Sequence, residues 1–228
     1  MRKQDWAGIT SGFALAASVA ALTRRRLRRA LALLGIAVAA DAIGRVWSRR
    51  RPGPIPASLR WVLYTPHPAG PLRRALAPRP GERVLEVGPG LGHYAVQVAQ
   101  WVHPDGALDV LDVQQEMLDA TMRRANERGI DNITPALADA SGHFPYDDAT
   151  FNAAYLNGVL GEIPDQHQAL SELRRVLKRG GRLVVGEVGI DPDFVPPGRL
   201  RQRCEASGLR FDRREGPRLA YFARFVAT

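Results

Sequence analysis

The feature that most limits the folds open to this chain is the run Val84-Leu-Glu-Val-Gly-Pro-Gly-Leu-Gly-His-Tyr94. An apolar strand over Arg83–Val87 ends in Gly88, Pro89, Gly90, Leu91 and Gly92, and a helix over Tyr94–Val102 follows. Glycines at such a bend let the backbone turn sharply and approach a ligand where a Cβ would collide. Taken alone, the run also fits a degenerate dinucleotide fingerprint or an ordinary strand-to-helix turn. The dinucleotide pattern, however, wants Gly or Ala three residues after the second glycine. His93 stands there, and the third glycine comes two residues after the second.

Downstream, β-rich and helical runs alternate. Strands are expected at Ala107–Leu111, Ile133–Leu137, Phe151–Leu156 and Arg182–Glu187. Helices are expected at Gln114–Arg128, Gln166–Leu177 and Arg199–Ala206. Alternation of this kind needs crossover connections and gives a mostly parallel sheet with helices on both faces. The last two strands, Leu209–Arg213 and Leu219–Val226, are joined by a turn at Gly216-Pro217 and must pair antiparallel. The pattern is α/β: a Rossmann-like, seven-stranded, mostly parallel sheet with a C-terminal antiparallel strand pair.

Asp112 closes the second strand, in Leu108-Asp-Val-Leu-Asp-Val113. An acid at that tip can accept hydrogen bonds from both hydroxyls of a ribose. Its plainer role is an N-cap for the helix beginning near Gln114. Asp109 alternates onto another face and lies too early to reach a cleft at the strand tips.

With these residues in view, the chain over about residues 70–228 resembles the class I methyltransferases of the small-molecule type, a group that includes quinone-biosynthesis and phospholipid methyltransferases. The resemblance implies S-adenosylmethionine as cofactor. It implies that Glu86, Gly88, Pro89, Gly90 and Gly92 wrap its methionine and ribose part, and that Asp112 with Val113 holds the ribose. It further implies that Asp139, beside Ala140, binds the adenine amino group, and that Asn157 walls the transferring methyl. Gly180-Gly181 matches the family's pre-strand glycine turn. There are departures. Asn152 stands where many relatives have Asp, and Gly161 where relatives often carry His, which removes a possible acceptor-side base. The Asn-Pro-Pro-Tyr type of tetrapeptide used on exocyclic base amines is absent after the fourth strand.

A methyl group on a sulfonium is already activated, so the protein has mainly to align nucleophile, methyl and sulfur and exclude water. Alignment of that sort supplies on the order of 7–11 kcal/mol. A base is needed only where the acceptor must lose a proton. The catalytic candidates are Glu162 and Tyr155, with His143 and His67 behind them. His93 either contacts the cofactor or caps its helix, and His103 and His167 read as surface residues. No His, Cys or acid has metal-ligand spacing, so no metal is expected.

Charge separates the remaining classes. Residues 1–60 carry 12 Lys/Arg and 2 Asp/Glu, whereas residues 61–228 carry 20 and 21. A nucleic-acid enzyme would spread basic residues over its substrate face, so nucleic acid is an unlikely partner. A basic terminus beside apolar runs points to an anionic membrane surface. Trp6–Leu22 is uncharged and would form a helix of about 25 Å, slightly short of a bilayer core of about 30 Å. An arginine cluster, Arg24–Arg29, separates it from Ala30–Gly44, which Asp41 interrupts. The expected organisation is a basic, apolar helical segment at 1–50, a Pro-rich linker at 51–58 and a methyltransferase domain at 59–228. The membrane contact is expected through residues 6–47, with the catalytic domain in the cytoplasm. A soluble cytoplasmic extension is the alternative, followed by a cleaved leader. The single cysteine, Cys204, allows no internal disulfide. The expected function is methyl transfer from S-adenosylmethionine to a small or lipid-like acceptor. The alternatives are a cofactor-binding scaffold of the same fold without turnover and, more remotely, a nicotinamide-dependent oxidoreductase.

Overall fold

Strands buried on both faces read as near-continuous apolar runs, and two of the first four do so here. β1 (Arg83–Val87) is buried over its last four residues, and β2 (Ala107–Asp112) over its last five. The computed structural model describes residues 68–189, 191 and 193–228. The expected N-terminal segment at 1–50, the linker at 51–58 and His67 lie outside the described residues. Among the described residues, no helix is long and apolar enough to cross a membrane.

A short helix, α1 (Gly70–Leu76), precedes β1. Then follow α2 (Ala95–Val102), β2, α3 (Gln115–Asn126), β3 (Ile133–Leu137) and β4 (Phe151–Asn157). The chain continues through a 3-10 turn at Leu160–Glu162, α4 (Gln166–Val176), β5 (Leu177–Val188), α5 (Pro197–Ala206), β6 (Leu209–Glu215) and β7 (Ala220–Ala227). The seven strands lie in the order β3-β2-β1-β4-β5-β7-β6. β1 to β5 are parallel, and β7 runs antiparallel between β5 and β6. The Rossmann-like sheet and its closing antiparallel pair are therefore as the sequence implies.

Period-two alternation divides the core. Leu85 and Val87 of β1 pack with Leu170 and Leu173 of α4 and Leu200 of α5. Val84, one residue out of phase, packs with Leu72 of α1, Val98 of α2 and Leu118 of α3. Helices thus cover both faces. The chain winds outward from β1 to β3 and then returns to the other side of β1 as β4. The tips of β1 and β4 consequently diverge, and such a switch point is where open α/β sheets bind ligands.

Two elements differ from expectation. α1 has no counterpart in the sequence reading, yet Pro71 in its first turn and the buried Leu72, Ala75 and Leu76 are a compact helical signature. β5 begins at Leu177 rather than Arg182. Phe151 pairs with Leu177 and Ala153 with Arg182, so Lys178 to Gly181 loop out between two pairings with β4. The glycine pair forms a bulge inside the strand rather than a turn before it. Beneath this edge the Arg182 guanidinium meets Glu82 at 2.5 Å and donates to the carbonyl of Leu76 at 2.9 Å, tying α1 to the sheet.

Candidate active site

The switch point is shaped first by backbone. Gly88 follows β1 with φ +71°, and its N–H donates to the carbonyl of Leu111 at the end of β2, 2.8 Å away. A Cβ on Gly88 would lie 2.5 Å from Cγ2 of Val159, in the loop after β4. Gly92, with φ +72°, is pressed from the other side, where a Cβ would come within 2.9 Å of the Thr121 backbone on α3. The Thr121 hydroxyl donates to the carbonyl of Gly90 at 3.3 Å. The bend is therefore clamped between α3 and the loop that follows β4, and only glycine fits at either contact.

Beside it is a cavity of about 110 Å³ that brings together Gly88, Asp112, Val113, Asp139, Ala140 and Glu162. Val159 and Ile163 complete its apolar walls. Its volume is below the roughly 300–1,000 Å³ of pockets that enclose drug-sized ligands, which suits one flat group rather than a whole nucleoside. Asp112 is 6% exposed, and its Oδ1 accepts the N–H of Gln114 at 2.9 Å, a local turn into α3. Asp139 is held the same way, accepting the N–H of Ser141 at 2.7 Å. In both, the backbone bond fixes the carboxylate at the cavity edge.

Behind the bend, Glu86 is 3% exposed, and its Oε2 has no hydrogen-bond partner among the described residues. Burial pushes its pKa up to about 8, the Tyr155 hydroxyl pulls it down by hydrogen bonding, and the charge of Asp112 pushes it up again. The Tyr94 hydroxyl, which feels the Glu86 charge, is likewise buried without a partner. Sequence reasoning passed over Tyr94, although it ends the glycine-bearing run. His93 stays neutral: burial first, then Arg124 and Arg128 of α3, bring its pKa down to about 4.

The acceptor-side candidates separate. Glu162 lies in the 3-10 turn, 6% exposed, in the cavity wall. Tyr155 does not reach the cleft. It pairs in register with Glu86, is 0% exposed and packs with Val84 and Ala153, because alternation along β4 turns it to the α1–α3 face. Its acceptor-side role is corrected to that of a hydrogen-bond partner for Glu86. Asn157 ends β4 opposite Gly186, where a Cβ would fall 2.2 Å from its Oδ1, so its amide packs on β5 and does not line the cavity. His143 lies by the Glu172 carboxylate at 3.1 Å in an exposed loop. At Gly161 a Cβ would meet the carbonyl oxygen of Asp193 at 2.0 Å, so the histidine common in relatives has no room. Sequence reasoning also passed over Glu187 of β5. It is 4% exposed, with Oε2 accepting the N–H of Val195 at 3.1 Å. Burial, then the charges of Asp191, Asp193 and Glu162, push its pKa up to about 8.

A strand–glycine bend–helix with an acid at the next strand tip, on this sheet order, defines a nucleoside-binding class of α/β protein. The structure of a SAM-dependent methyltransferase from Aquifex aeolicus has this fold, with a TM-score of 0.69 at 21% identity over 77% of this chain and 100% of that one. The chain is 34% identical over 110 residues to the ubiquinone/menaquinone biosynthesis C-methyltransferase UbiE of Teredinibacter turnerae, covering 48% of this chain and 44% of that protein. It is 31% identical over 109 residues to the arsenite methyltransferase of Halobacterium salinarum, covering 48% of this chain and 28% of that protein. It thus spans less than half the length of either curated relative. Residues 71–191, more than half of the chain, match the ubiE/COQ5 methyltransferase family, and the chain belongs to that family of S-adenosylmethionine-dependent enzymes.

The two buried acids fix a pH dependence. Folding raises Glu86 and Glu187 to about 8 from an ordinary 4.5, so the fold favours their protonated forms. The stability they contribute is fully present below about pH 4.5 and is lost as pH rises towards 8. The melting temperature of the ligand-free protein is expected to fall between pH 5 and pH 8. Glu86→Gln and Glu187→Gln are each expected to flatten that decline, as read by circular dichroism. A native melting temperature that stays level or rises over this range would contradict the assignment.

Proposed function

We propose that this chain transfers the methyl group of S-adenosylmethionine to a small or lipid-like acceptor, working at a membrane surface. The observation that carries the reading is the carboxylate of Asp112 fixed at the rim of a flat cavity, beside a glycine bend with no room for a side chain.

The residues present fit the cofactor. Asp112 would accept both ribose hydroxyls, while Val113, Ala140 and Ile163 would enclose the adenine and Asp139 would accept from its amino group. The backbone of Gly88, Pro89, Gly90 and Gly92 would carry the methionine part. The unpartnered oxygens of Glu86 and Tyr94 lie behind that bend, where an ammonium group would supply the missing donor. When bound, the cofactor supplies an electrophilic methyl on a sulfonium, so the chain needs no strong nucleophile of its own. Glu162, an acid in the cavity wall, would receive the proton where the acceptor must lose one. Asn157, at the end of β4, would act on the methyl side only through the backbone, because its amide packs on Gly186 of β5. Burial, and after it the charges of Asp191, Asp193 and Glu162, raise the Glu187 carboxyl to about 8, so that it would donate a hydrogen bond at neutral pH.

The lipid-like acceptor rests on the family and on the N-terminal charge. The relative from Teredinibacter turnerae is named for ubiquinone/menaquinone biosynthesis, and the 12 Lys/Arg within residues 1–60 complement an anionic bilayer.

Two measurements test the reading. Calorimetry of the full chain should show S-adenosylmethionine binding, and Asp112→Ala should weaken it at least about tenfold. That is the scale of losing hydrogen bonds to a charged group, about 1.5–3 kcal/mol. Unchanged affinity in the variant removes the ribose role. For the membrane, the full chain should cosediment with vesicles containing phosphatidylglycerol. Replacing the five arginines of 24–29 with Gln should weaken that binding at least about tenfold, at about 1 kcal/mol per surface arginine. Equal binding to uncharged phosphatidylcholine vesicles would refute the electrostatic tether.

A further inference from the structure

A larger space lies beside the candidate site and shares part of its wall. Ile163 and Pro164 line both the small cavity beside the glycine bend and a cavity of about 810 Å³ between α4 and α5. At that size it can enclose a ligand of several hundred daltons. One part of its lining is apolar, with Leu170 of α4 and with Phe194 and Val195 ahead of α5.

The opposite part is cationic. Arg199 and Arg203, with Gln202 and Ala206, form one face of α5, at the spacing of three and four residues that lines up side chains on a helix. Arg203 donates to the side-chain amide of Gln166 on α4, and among the described residues neither arginine forms a salt bridge. Like charges four residues apart on a helix are mutually unfavourable. Here burial and the charge of Arg199 both act against the charged form of Arg203. Asp193 is the acid in this lining, and it neutralises at most one of the two. An anion between the guanidiniums would relieve the repulsion and take bidentate hydrogen bonds, the geometry guanidinium offers to phosphate and carboxylate.

We propose that this cavity is the acceptor compartment and that it takes an amphipathic anion. The apolar body would lie along Leu170, Phe194 and Val195, and the anionic head would seat between Arg199 and Arg203. The proposal rests on the methyltransferase reading for its place in the reaction and narrows the acceptor to that class. The wall that the two cavities share, at Ile163 and Pro164, sets such an acceptor beside the cofactor site.

The test is calorimetric titration of the full chain with octyl phosphate, inorganic phosphate and uncharged octyl glucoside, each below its micelle concentration. Octyl phosphate should bind at least about tenfold more tightly than either of the others, because it alone satisfies both ends of the cavity. Arg199→Gln with Arg203→Gln should lower that affinity at least about fivefold, and Arg199→Lys with Arg203→Lys should restore only part of it, because an ammonium keeps the charge without the bidentate fork. Arginines at 24–29 are common to all these proteins and cancel in the comparison. An octyl phosphate affinity that does not change in the glutamine variant overturns the proposal, as does equal binding of octyl glucoside. S-adenosylmethionine affinity is measured alongside. Failure of the native chain to bind it would remove the cofactor reading and leave the anion site to be judged on its own titration. Retained cofactor affinity in a glutamine variant that has lost octyl phosphate supports the site and shows that the variant is folded.

Discussion

The contact on which the site depends is backbone against side chain: Gly88 passes so close to Val159 that an ordinary Cβ would sit 2.5 Å from a methyl carbon. That approach brings the loop after β4 over the tip of β1. With the hydrogen bond from Gly88 to Leu111 it also draws in the tip of β2. Three strand ends are thereby gathered round one small cavity, and Asp112 and Glu162 both line it. A larger residue at position 88 would separate the walls before it touched any ligand.

Electrostatics then sort the acids of the molecule. Glu172, held by Arg175 and the N–H of Phe144, is kept below the usual carboxylate range, chiefly by its hydrogen bond to Arg175. It is structural. Among the described residues Glu86 and Glu187 form no salt bridge, and burial pushes both up to about 8. They lie near the C-terminal ends of β1 and β5, and each leaves one oxygen without a partner among the described residues. Unpaired buried carboxyls are costly to a fold, and they are understandable where a cationic ligand or a transferred proton supplies what the protein leaves out.

Much of this could be read from the sequence because it is local. The glycine spacing fixed the first bend, and Asp112 followed from counting to the end of the second strand. The turn at Gly216-Pro217 required the antiparallel ending. What escaped depends on pairing between distant segments. Tyr155 looked cleft-facing because it lies near the end of β4, but its register against Glu86 sends it into the core. The role of Glu187 depends on Asp191, Asp193 and Glu162 meeting it in space, which no short window shows. Lys178 to Gly181 looked like a simple turn because a bulge is defined only by its partner strand. α1 is too short for its periodicity to stand out from the proline-containing stretch around it.

The central claim is where the nucleoside lies, and a crystal structure of the full chain with S-adenosylhomocysteine tests it most directly. The account predicts both ribose hydroxyls within hydrogen-bonding distance, about 2.6–3.2 Å, of the Asp112 carboxylate. It also predicts the adenine between Val113 and Ile163, and the amino-acid tail along Gly88 to Gly92. A nucleoside seated elsewhere, for example in the larger cavity against Arg199 and Arg203, would contradict it.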